Sequence, residues 1–262
     1  MAQTRIAAAA RAAGFEVEFI DSQEKIAPGV AEHPFQQHAE HLHGPGYFLM
    51  EAVTRLQPAL LVFDLGNDQV PWKEWIAMLR TAAATRRIPL IGFGSHVDVD
   101  SFQAAKQAGA QAVLARSAFF GDLPAVLGRY ARLPDWEALA SECEKPLHPR
   151  AMRGLEHFNA GEYFEAHEEL EAAWNADPTP ARALYQGVLQ VAVAYLQIER
   201  NNPDGAKKIF LRSRQWLSPL PDSCRGVDVK QLRLDAAEVE RMLKEEGVEA
   251  ARMRFTQVAW KV

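Results

Sequence analysis

The 262-residue chain is long enough for one large domain or two ordinary ones, each with a hydrophobic core. Its composition, 48% hydrophobic and 24% charged residues, is typical of a soluble globular protein, and the net charge of −5 argues against a strongly basic nucleic-acid-binding protein. No apolar run reaches the roughly 18 residues of a membrane-spanning helix, and the first residues lack a signal-peptide pattern. We therefore expect a cytoplasmic protein.

Cysteine usage points to the same compartment. The chain has two cysteines, Cys143 and Cys224, which lie far apart and form no C-x-x-C pattern. This usage predicts a reducing environment and argues against both a disulfide framework and a cysteine zinc site.

Helix and strand patterns alternate in the first half of the chain. The predicted helices cover residues 4–13, 47–56, 72–85, 100–108 and 123–132, and the predicted strands cover residues 16–20, 59–64, 88–93 and 112–115. Short apolar strands that alternate with helices indicate a parallel sheet covered on both faces. We predict a doubly wound α/β domain over residues 1–135.

Every strong periodicity beyond a proline-containing linker, residues 136–148, is helical. Turn signals separate the helices predicted at about residues 149–159, 162–175, 180–200, 204–217, 228–246 and 248–258. We predict an all-α helical bundle over residues 149–262.

Three segments of the first half carry a resemblance. Asp64 ends a predicted core strand, the segment P89-L-I-G-F-G-S95 forms another strand end, and G109-A-Q-A-V-L-A-R-S117 follows. Together they resemble the receiver domain of bacterial response regulators. The resemblance implies a receiver- or flavodoxin-like sheet with Asp64 as the phosphate acceptor and Ser95 and Arg116 beside it, at the carboxyl ends of the strands.

Several positions depart from the receiver pattern. The acidic pair that holds Mg²⁺ in receivers has no counterpart, and phosphoryl transfer needs that cation. Arg116 replaces the receiver lysine and Ser117 replaces the proline after it. Gly94 occupies the position of the receiver's switch Thr/Ser, and Ser95 lies one residue after that position. We therefore predict a pseudo-receiver that is not phosphorylated, in which Asp64 caps the following turn. The alternative is a phosphorelay response regulator with Asp64 as acceptor.

The first receiver strand also has no counterpart. That strand would be central, so residues 16–20 would lack their neighbour, and unpaired buried backbone groups are costly. Three explanations stay open: the chain starts upstream of Met1, the strands close up, or a partner supplies the edge. We favour the first.

Four histidines lie between His33 and His43. His38 and His41 have the i, i+3 spacing that would allow both to bind one metal ion. No carboxylate lies at a fixed spacing from them, so we interpret the segment as a solvated insertion.

The strongest pattern of the second half is F158-N-A-G-E-Y-F-E-A-H-E-E-L-E-A-A-W174. A helix here would place His167, Glu168 and Glu171 beside an apolar stripe. With Y185-Q-G-V-L-Q-V-A-V-A194 and N201-N-P-D-G-A206, it resembles the bacterial domain of unknown function family 309 over roughly residues 148–220. That resemblance implies a small helical bundle and names no activity. Residues 159–178 also resemble one tetratricopeptide-type hairpin, a unit that binds peptides or proteins.

Arg182, Gln186 and Gln190 follow one another by one helical turn, and we call them the polar row. Either the polar row and His167 satisfy each other in a buried hydrogen-bond network, or the two helices enclose a ligand pocket. A third reading is a divalent metal site with His167 and Glu171 as ligands and Glu168 as acid/base. The H-E-x-x-E pattern lacks the second histidine of zinc proteases.

The basic side chains Lys207, Lys208, Arg212 and Arg214 form a predicted exposed face. We interpret it as solvated surface and expect no nucleic-acid binding. Our overall prediction is a regulatory or scaffold protein: the pseudo-receiver docks or forms a homodimer, and the bundle binds a protein partner or a small ligand around His167. The rival is a metal-dependent enzyme.

Overall fold

The computed structural model describes residues 2–26 and 45–261, and these divide into a first unit, Met1–Leu133, and a second unit, Pro134–Val262. Helices dominate both units, and a small parallel sheet lies in the first. The histidine pair His38 and His41 lies outside the described residues. None of the described helices combines the length and apolarity needed to cross a bilayer.

The first unit is a small α/β part of the protein. Its helices are α1 (Ala2–Ala12), α2 (Pro45–Leu56), α3 (Trp72–Thr81), α4 (Val99–Ala108), α5 (Arg116–Gly121) and α6 (Leu123–Tyr130). Its strands are β1 (Leu61–Asp64), β2 (Leu90–Gly94) and β3 (Ala112–Ala115), all parallel, in the order β1-β2-β3. The central strand β2 is buried throughout, as a continuous apolar run in a covered sheet should be.

The strand predicted at residues 16–20 was wrong, because this segment has no regular secondary structure. Among the described residues no strand runs beside it to pair with its backbone. The chain just after it is attached by single hydrogen bonds: the Gln23 N–H donates to the Gln69 carbonyl, and the Asn67 amide donates to the Asp21 carbonyl. A strand forms only where a neighbour supplies its ladder, so the β-type sequence is insufficient here.

Helix α3 is shorter than predicted, and a helix after β3 was not predicted. Helix α3 ends at Thr81 because Ala82 adopts extended backbone with ψ of 131°. The Thr85 hydroxyl then donates to the Leu79 carbonyl at 2.8 Å and satisfies one of the free carbonyls at the helix end. Helix α5 was not predicted, and it brings Phe119 into a stacked contact with Phe93 of β2 at 4.2 Å between ring centroids.

The second unit is the predicted helical bundle. Its helices are α7 (Trp136–Cys143), α8 (Pro149–Ala160), α9 (Tyr163–Ala176), α10 (Ala183–Glu199), α11 (Pro203–Leu217), α12 (Val229–Glu245) and α13 (Val248–Arg252), with a 3-10 turn at Pro180–Arg182. Two short strands, β4 (Ser223–Cys224) and β5 (Val227–Asp228), form a hairpin. Helix α7 lies within the segment interpreted as a linker, and its Leu139 is buried in the bundle core.

Glycines allow the helices of the bundle to approach closely. A Cβ atom on Gly187 of α10 would lie 2.3 Å from Leu217 Cδ2 of α11, and one on Gly154 of α8 would lie 2.7 Å from Leu170 Cγ of α9. No real Cβ contact is that short, so both helix crossings depend on the missing side chain. Helix α10 packs against both α9 and α11 and is the central helix of this group.

The carboxyl-terminal segment lies across the bundle. Phe255 stacks on Tyr195 of α10 at 4.2 Å between ring centroids. The Asn159 amide group donates to the Val258 carbonyl at 2.9 Å and accepts from the Val258 N–H at 2.8 Å, which fixes the segment against the end of α8.

The expectation of unpaired cysteines was wrong. Cys143 at the end of α7 and Cys224 in β4 form a disulfide bond across a sequence separation of 81 residues. The sequence spacing is uninformative because only the folded bundle brings α7 beside the β4–β5 hairpin. The cysteine count therefore loses its value as an argument for a reducing compartment.

Candidate functional site

The residues predicted for a ligand pocket are distributed over the α9–α10 hairpin. His167, Glu168 and Glu171 lie on α9, Gln186 and Gln190 lie on α10, and Arg182 ends the 3-10 turn between the two helices. The two helices pack against each other along their length. At the loop end, the guanidinium carbon of Arg182 lies 4.4 Å from the ring centroid of Trp174.

One ring contact provides a reference point for the positions of His167 and Gln190 along this hairpin. At the open end, the rings of Tyr163 and Tyr195 are in edge contact with centroids 5.4 Å apart. His167 follows Tyr163 by four residues and Gln190 precedes Tyr195 by five, which is about 6 and 7.5 Å of helical rise. Counted from that contact, the two residues are at similar distances along the antiparallel helices.

Four buried polar atoms of this region have no hydrogen-bond partner among the described residues: His167 Nδ1, Trp174 Nε1, Gln186 Oε1 and Gln190 Oε1. Gln190 is only 5% exposed, whereas the other three side chains are half-buried. The described structure therefore does not contain the predicted hydrogen-bond network between His167 and the glutamines. Each such atom costs about 1–3 kcal/mol if it stays unpaired.

The carboxylates of the predicted metal site lie at the surface of α9. Glu168 and Glu171 are exposed, and their angular positions on α9 place them to one side of His167. Within residues 2–26 and 45–261, no three His, Cys, Asp or Glu side chains are grouped so that they could hold one metal ion.

Two of the three predicted receiver residues, Asp64 and Arg116, contact each other. Arg116, which follows β3, reaches across the sheet to Asp64 at the end of β1, and its Nη2 lies 2.7 Å from Asp64 Oδ1. The same carboxylate oxygen accepts from the Gly66 N–H at 3.1 Å, which is the turn-capping role predicted for Asp64. Ser95 is exposed one residue beyond β2.

Sequence reasoning missed a buried charge cluster around Arg225. The Arg225 guanidinium contacts Asp177 Oδ2 at 2.7 Å and Thr179 Oγ1 at 3.1 Å, and it donates to the Tyr185 hydroxyl. Its Nε donates to the Glu142 carbonyl of α7 at 3.3 Å. These contacts tie α7, α10 and the β4–β5 hairpin together.

The cluster shifts two pKa values. Burial is the largest influence on Asp177 and raises its pKa, but hydrogen bonds from Thr179 and the charge of Arg225 outweigh it, so the pKa lies below the usual value of 3.8. Burial raises the pKa of the Tyr185 hydroxyl, and the nearby Arg225 charge opposes that rise. Asp177 is therefore a permanent counter-ion for Arg225 at neutral pH.

One local signal could have located Arg225. Arg225 and Gly226 connect two short strands, and both have positive φ, 52° and 81°. A two-residue hairpin turn requires that backbone, and a residue followed by Gly between strands is its usual signature. The pairing with Asp177 has no comparable signal, since the two residues are far apart in the sequence.

The predicted basic face is partly neutralised. Arg214 pairs with the buried Glu240 of α12 at 2.6 Å, and Lys207 lies 3.5 Å from Asp204. These charges therefore act within the bundle as well as at its surface.

Comparison with known proteins locates a family within the second unit. Residues 152–209, from α8 into α11, match the family described as "Domain of unknown function (DUF309)". A DUF309 domain is present in this chain. It contains the α9–α10 hairpin with its four unpartnered polar atoms, whereas α7, Arg225 and the carboxyl-terminal segment lie outside the match. No family match supports the receiver resemblance of the first unit.

Two curated relatives share short regions with the chain. An uncharacterized protein of Aquifex aeolicus is 25% identical over 83 residues, which are 31% of this chain and 25% of that protein. The uncharacterized protein YpuF of Bacillus subtilis is 43% identical over 53 residues, which are 20% of this chain and 30% of YpuF. The chain thus spans less than a third of the length of these relatives, and their names assign no activity.

Proposed function

We propose that this protein is a cytoplasmic regulatory or scaffold protein whose helical unit binds a protein partner or a small ligand around His167. The observation that carries the proposal is the group of four buried polar atoms without partners on α9 and α10. Folded proteins pair nearly all such atoms with protein groups, water or ligands, so a group of exceptions is a candidate place for another molecule to bind.

The side chains that carry these atoms are suited to binding. His167, Trp174 and Gln186 are half-buried, so part of each side chain reaches the surface of the bundle. The hydrophobic core beneath them holds α10 in place: Val188, Val191 and Tyr195 on its inner side are almost completely buried. A rigid helix that carries polar groups binds with little loss of conformational entropy.

In the same proposal, the first unit acts as a pseudo-receiver that provides a docking or homodimer surface. The support is the arrangement of Asp64, whose Oδ1 pairs with Arg116 and accepts from the Gly66 N–H, so that the carboxylate caps its own turn.

Exposure to acetyl phosphate and Mg²⁺, followed by mass spectrometry, tests this part of the proposal. We expect no mass increase for the wild-type protein and none for Arg116→Lys, because the proposal makes Asp64 a turn cap and not a phosphate acceptor. Asp64→Asn is the matched control, because it would retain any phosphate adduct that forms at another residue. A single phosphate on the wild type that Asp64→Asn removes would establish the phosphorelay alternative instead.

Affinity capture followed by quantitative mass spectrometry tests the binding function. The full chain would be immobilised as wild type, as Gln190→Leu, and as Glu165→Gln, an exposed position of α9. We expect Gln190→Leu to lose at least tenfold of a specific partner or co-purifying small molecule, and Glu165→Gln to retain it. Equal recovery with all three proteins would refute a binding role for the polar row.

The metal-dependent enzyme is the weaker proposal. In the part of the chain that the structure describes, Glu168 and Glu171 do not converge with His167 as three ligands would. Elemental analysis decides between the two functions: near-stoichiometric zinc, manganese or iron that His167→Ala removes would favour the enzyme.

A further inference from the structure

We propose that the surface under the carboxyl-terminal segment, residues 254–261, is a binding site for an extended segment of a partner polypeptide, and that the chain's own segment is an occupant which the partner displaces. We call this surface the docking face; it consists of Asn159, Tyr163, Tyr195 and strand β5. The inference goes beyond the binding function proposed above, because it does not use the polar row.

The docking face recognises the main chain of the segment. The Asn159 side chain accepts from the Val258 N–H at 2.8 Å and donates to the Val258 carbonyl at 2.9 Å. A side-chain amide has both a donor and an acceptor, so it can pair with both polar groups of one residue without contacting that residue's side chain. Asn159 therefore fits an extended backbone of any sequence.

Strand β5 continues this main-chain recognition. Trp260 pairs with Val227 in an antiparallel bridge on the edge of β5 that faces away from β4. The Lys261 N–H donates to the Gly226 carbonyl at 2.9 Å, and the Asp228 N–H donates to the carbonyl of the residue before Trp260 at 3.0 Å. Addition of an extended segment to a sheet edge is a recurring mode of peptide recognition, in which side-chain contacts supply the specificity.

Three side chains of the segment contact the bundle core and define the pattern of a ligand. Phe255 stacks on Tyr195 with ring centroids 4.2 Å apart and lies edge-on to Tyr163 at 5.7 Å. Val258 is only 3% exposed, and Trp260 packs against the same core. The docking face therefore selects an aromatic residue, an aliphatic residue three positions later, and a second aromatic residue two positions after that.

The connection before the segment allows the segment to leave without helix α13. Met253 is 89% exposed, whereas Ala251 within α13 is completely buried. Arg252 attaches α13 independently, since its guanidinium donates to two carbonyls at the end of α10 at 3.1 and 2.8 Å. Release of the segment therefore leaves α13 and the helices beneath it in place.

The docking face and its occupant differ in their relation to the family match. Asn159, Tyr163 and Tyr195 lie within residues 152–209, which match DUF309, whereas β5 and the segment lie outside that match. The aromatic and amide contacts of the face thus belong to the family domain, and the segment that covers them comes from elsewhere in the chain. An occupant tied to its site in this way competes with a partner through its high effective concentration.

Fluorescence anisotropy with the full chain tests the proposal. The probe is a labelled peptide with the sequence of residues 254–261. Phe255→Ala weakens the intramolecular occupant and leaves the docking face intact, so we expect this variant to bind the peptide at least tenfold more tightly than the wild type. Phe164→Ala, which removes an exposed phenylalanine of α9, is the matched control and should bind like the wild type.

Further substitutions assign the binding to the docking face. Added to Phe255→Ala, Asn159→Ala should weaken the peptide at least tenfold, because two hydrogen bonds are lost. Asn175→Ala, at an exposed position of α9, is its control and should have no effect. A peptide with alanine at the positions of Phe255 and Val258 should bind at least tenfold more weakly than the original.

Hydrogen exchange of the wild type tests the release directly. We expect the amides of Val258 and Asp228 to exchange at least 100-fold faster than those of Val191 and Ala192 in α10, because the segment opens while the bundle stays folded. If Phe255→Ala does not fold, Thr256→Ala replaces it. That change removes only the contact with the Tyr195 hydroxyl and should raise the affinity for the peptide about threefold.

Three results would overturn the inference. One is equal affinity of the wild type and the variant with the weakened segment for the peptide. Another is equal affinity of the original and the alanine-substituted peptide. The third is exchange of all four amides at one rate, since the segment would then open only when the bundle unfolds. The capture experiment with Gln190→Leu is independent of these results, so the polar row and the docking face can fail separately.

Discussion

Arg225 and Asp177 form an ion pair of 2.7 Å in which both side chains are only 7% exposed. The pair joins the β4–β5 hairpin to the loop before α10, and it lies on the side of the bundle where α7 attaches. A buried charge without its partner is far more costly than a buried charge within a pair. The stability of the second unit therefore depends strongly on this contact.

Asp177→Asn should lower the free energy of unfolding by about 3 kcal/mol, because it leaves Arg225 buried without its main counter-ion. Chemical denaturation at pH 7 measures the change. Asp204→Asn is the control, since Asp204 forms an exposed pair with Lys207 whose loss should cost less than about 1 kcal/mol. Equal effects of the two substitutions would show that burial of the Arg225 pair contributes nothing.

The ion pair between Arg225 and Asp177 should make the free energy of unfolding depend on pH in the acidic range. The pKa of Asp177 is lower in the folded than in the unfolded protein, so the unfolded state takes up a proton first as the pH falls. Its contribution is present above about pH 4 and disappears as the pH falls through the folded pKa. The difference in unfolding free energy between wild type and Asp177→Asn should therefore shrink from pH 5 to pH 2.5.

Tyr195 should make the bundle sensitive to alkali. Burial raises its pKa to about 12, although a hydrogen bond with Thr256 opposes the rise, and burial also raises the pKa of the neighbouring Tyr163. Between pH 10 and pH 12 the unfolded protein loses the phenolic proton while the folded protein retains it. Stability should fall by about 1.4 kcal/mol per pH unit for each such group.

Tyr195→Phe should be destabilised by about 1 kcal/mol at pH 8, where it lacks the Thr256 hydrogen bond. It should then lose less stability than the wild type between pH 10 and pH 11.5. Denaturation curves at these three pH values measure both effects, with Tyr130→Phe in the first unit as control. An equal loss of stability in wild type and Tyr195→Phe as the pH rises would contradict the assignment of the alkaline sensitivity to Tyr195.

Gly187→Ala should destabilise the second unit by about 1–3 kcal/mol, because the new methyl group would lie 2.3 Å from Leu217 Cδ2. Thermal unfolding followed by circular dichroism measures the loss. Adding Leu217→Ala should reverse part of it by removing the clash. Gly128→Ala, a helical position with nothing within 4 Å, is the control and should be neutral or slightly stabilising.

Removal of the Cys143–Cys224 disulfide should lower the free energy of unfolding by about 4 kcal/mol, since the bond closes a loop across 81 residues. The double variant Cys143→Ala, Cys224→Ala measures this cost. Dithiothreitol should lower the thermal midpoint of the wild type and leave that of the double variant unchanged. A reductant effect of equal size on both proteins would mean that the bond does not stabilise the bundle.

Much of the helical architecture could be predicted from the sequence. Apolar positions spaced by three and four residues mark α9 and α10, and turn signals such as Asn201 and Pro203 mark their ends, because these features act within a few residues. The same periodicity placed Gln186 and Gln190 on one side of α10. Their role as a binding row stays a prediction.

The failures concern contacts between distant parts of the chain. Residues 16–20 have a strand-like composition, yet a strand needs a neighbour that local sequence does not specify. The missing hydrogen bonds of His167 and Gln190 depend on how two helices are rotated against each other, to within a fraction of a residue. Helical spacing gives the side of each helix and not that rotation.

By itself, the sequence determined which segments form helices, where Asp64 and Arg116 stand at strand ends, and which side of α10 is polar, because periodicity and turn chemistry are local. Only the tertiary structure decided that Cys143 bonds to Cys224 and that Arg225 pairs with Asp177. Those partners lie tens of residues apart, and packing of the whole bundle brings them within bonding distance.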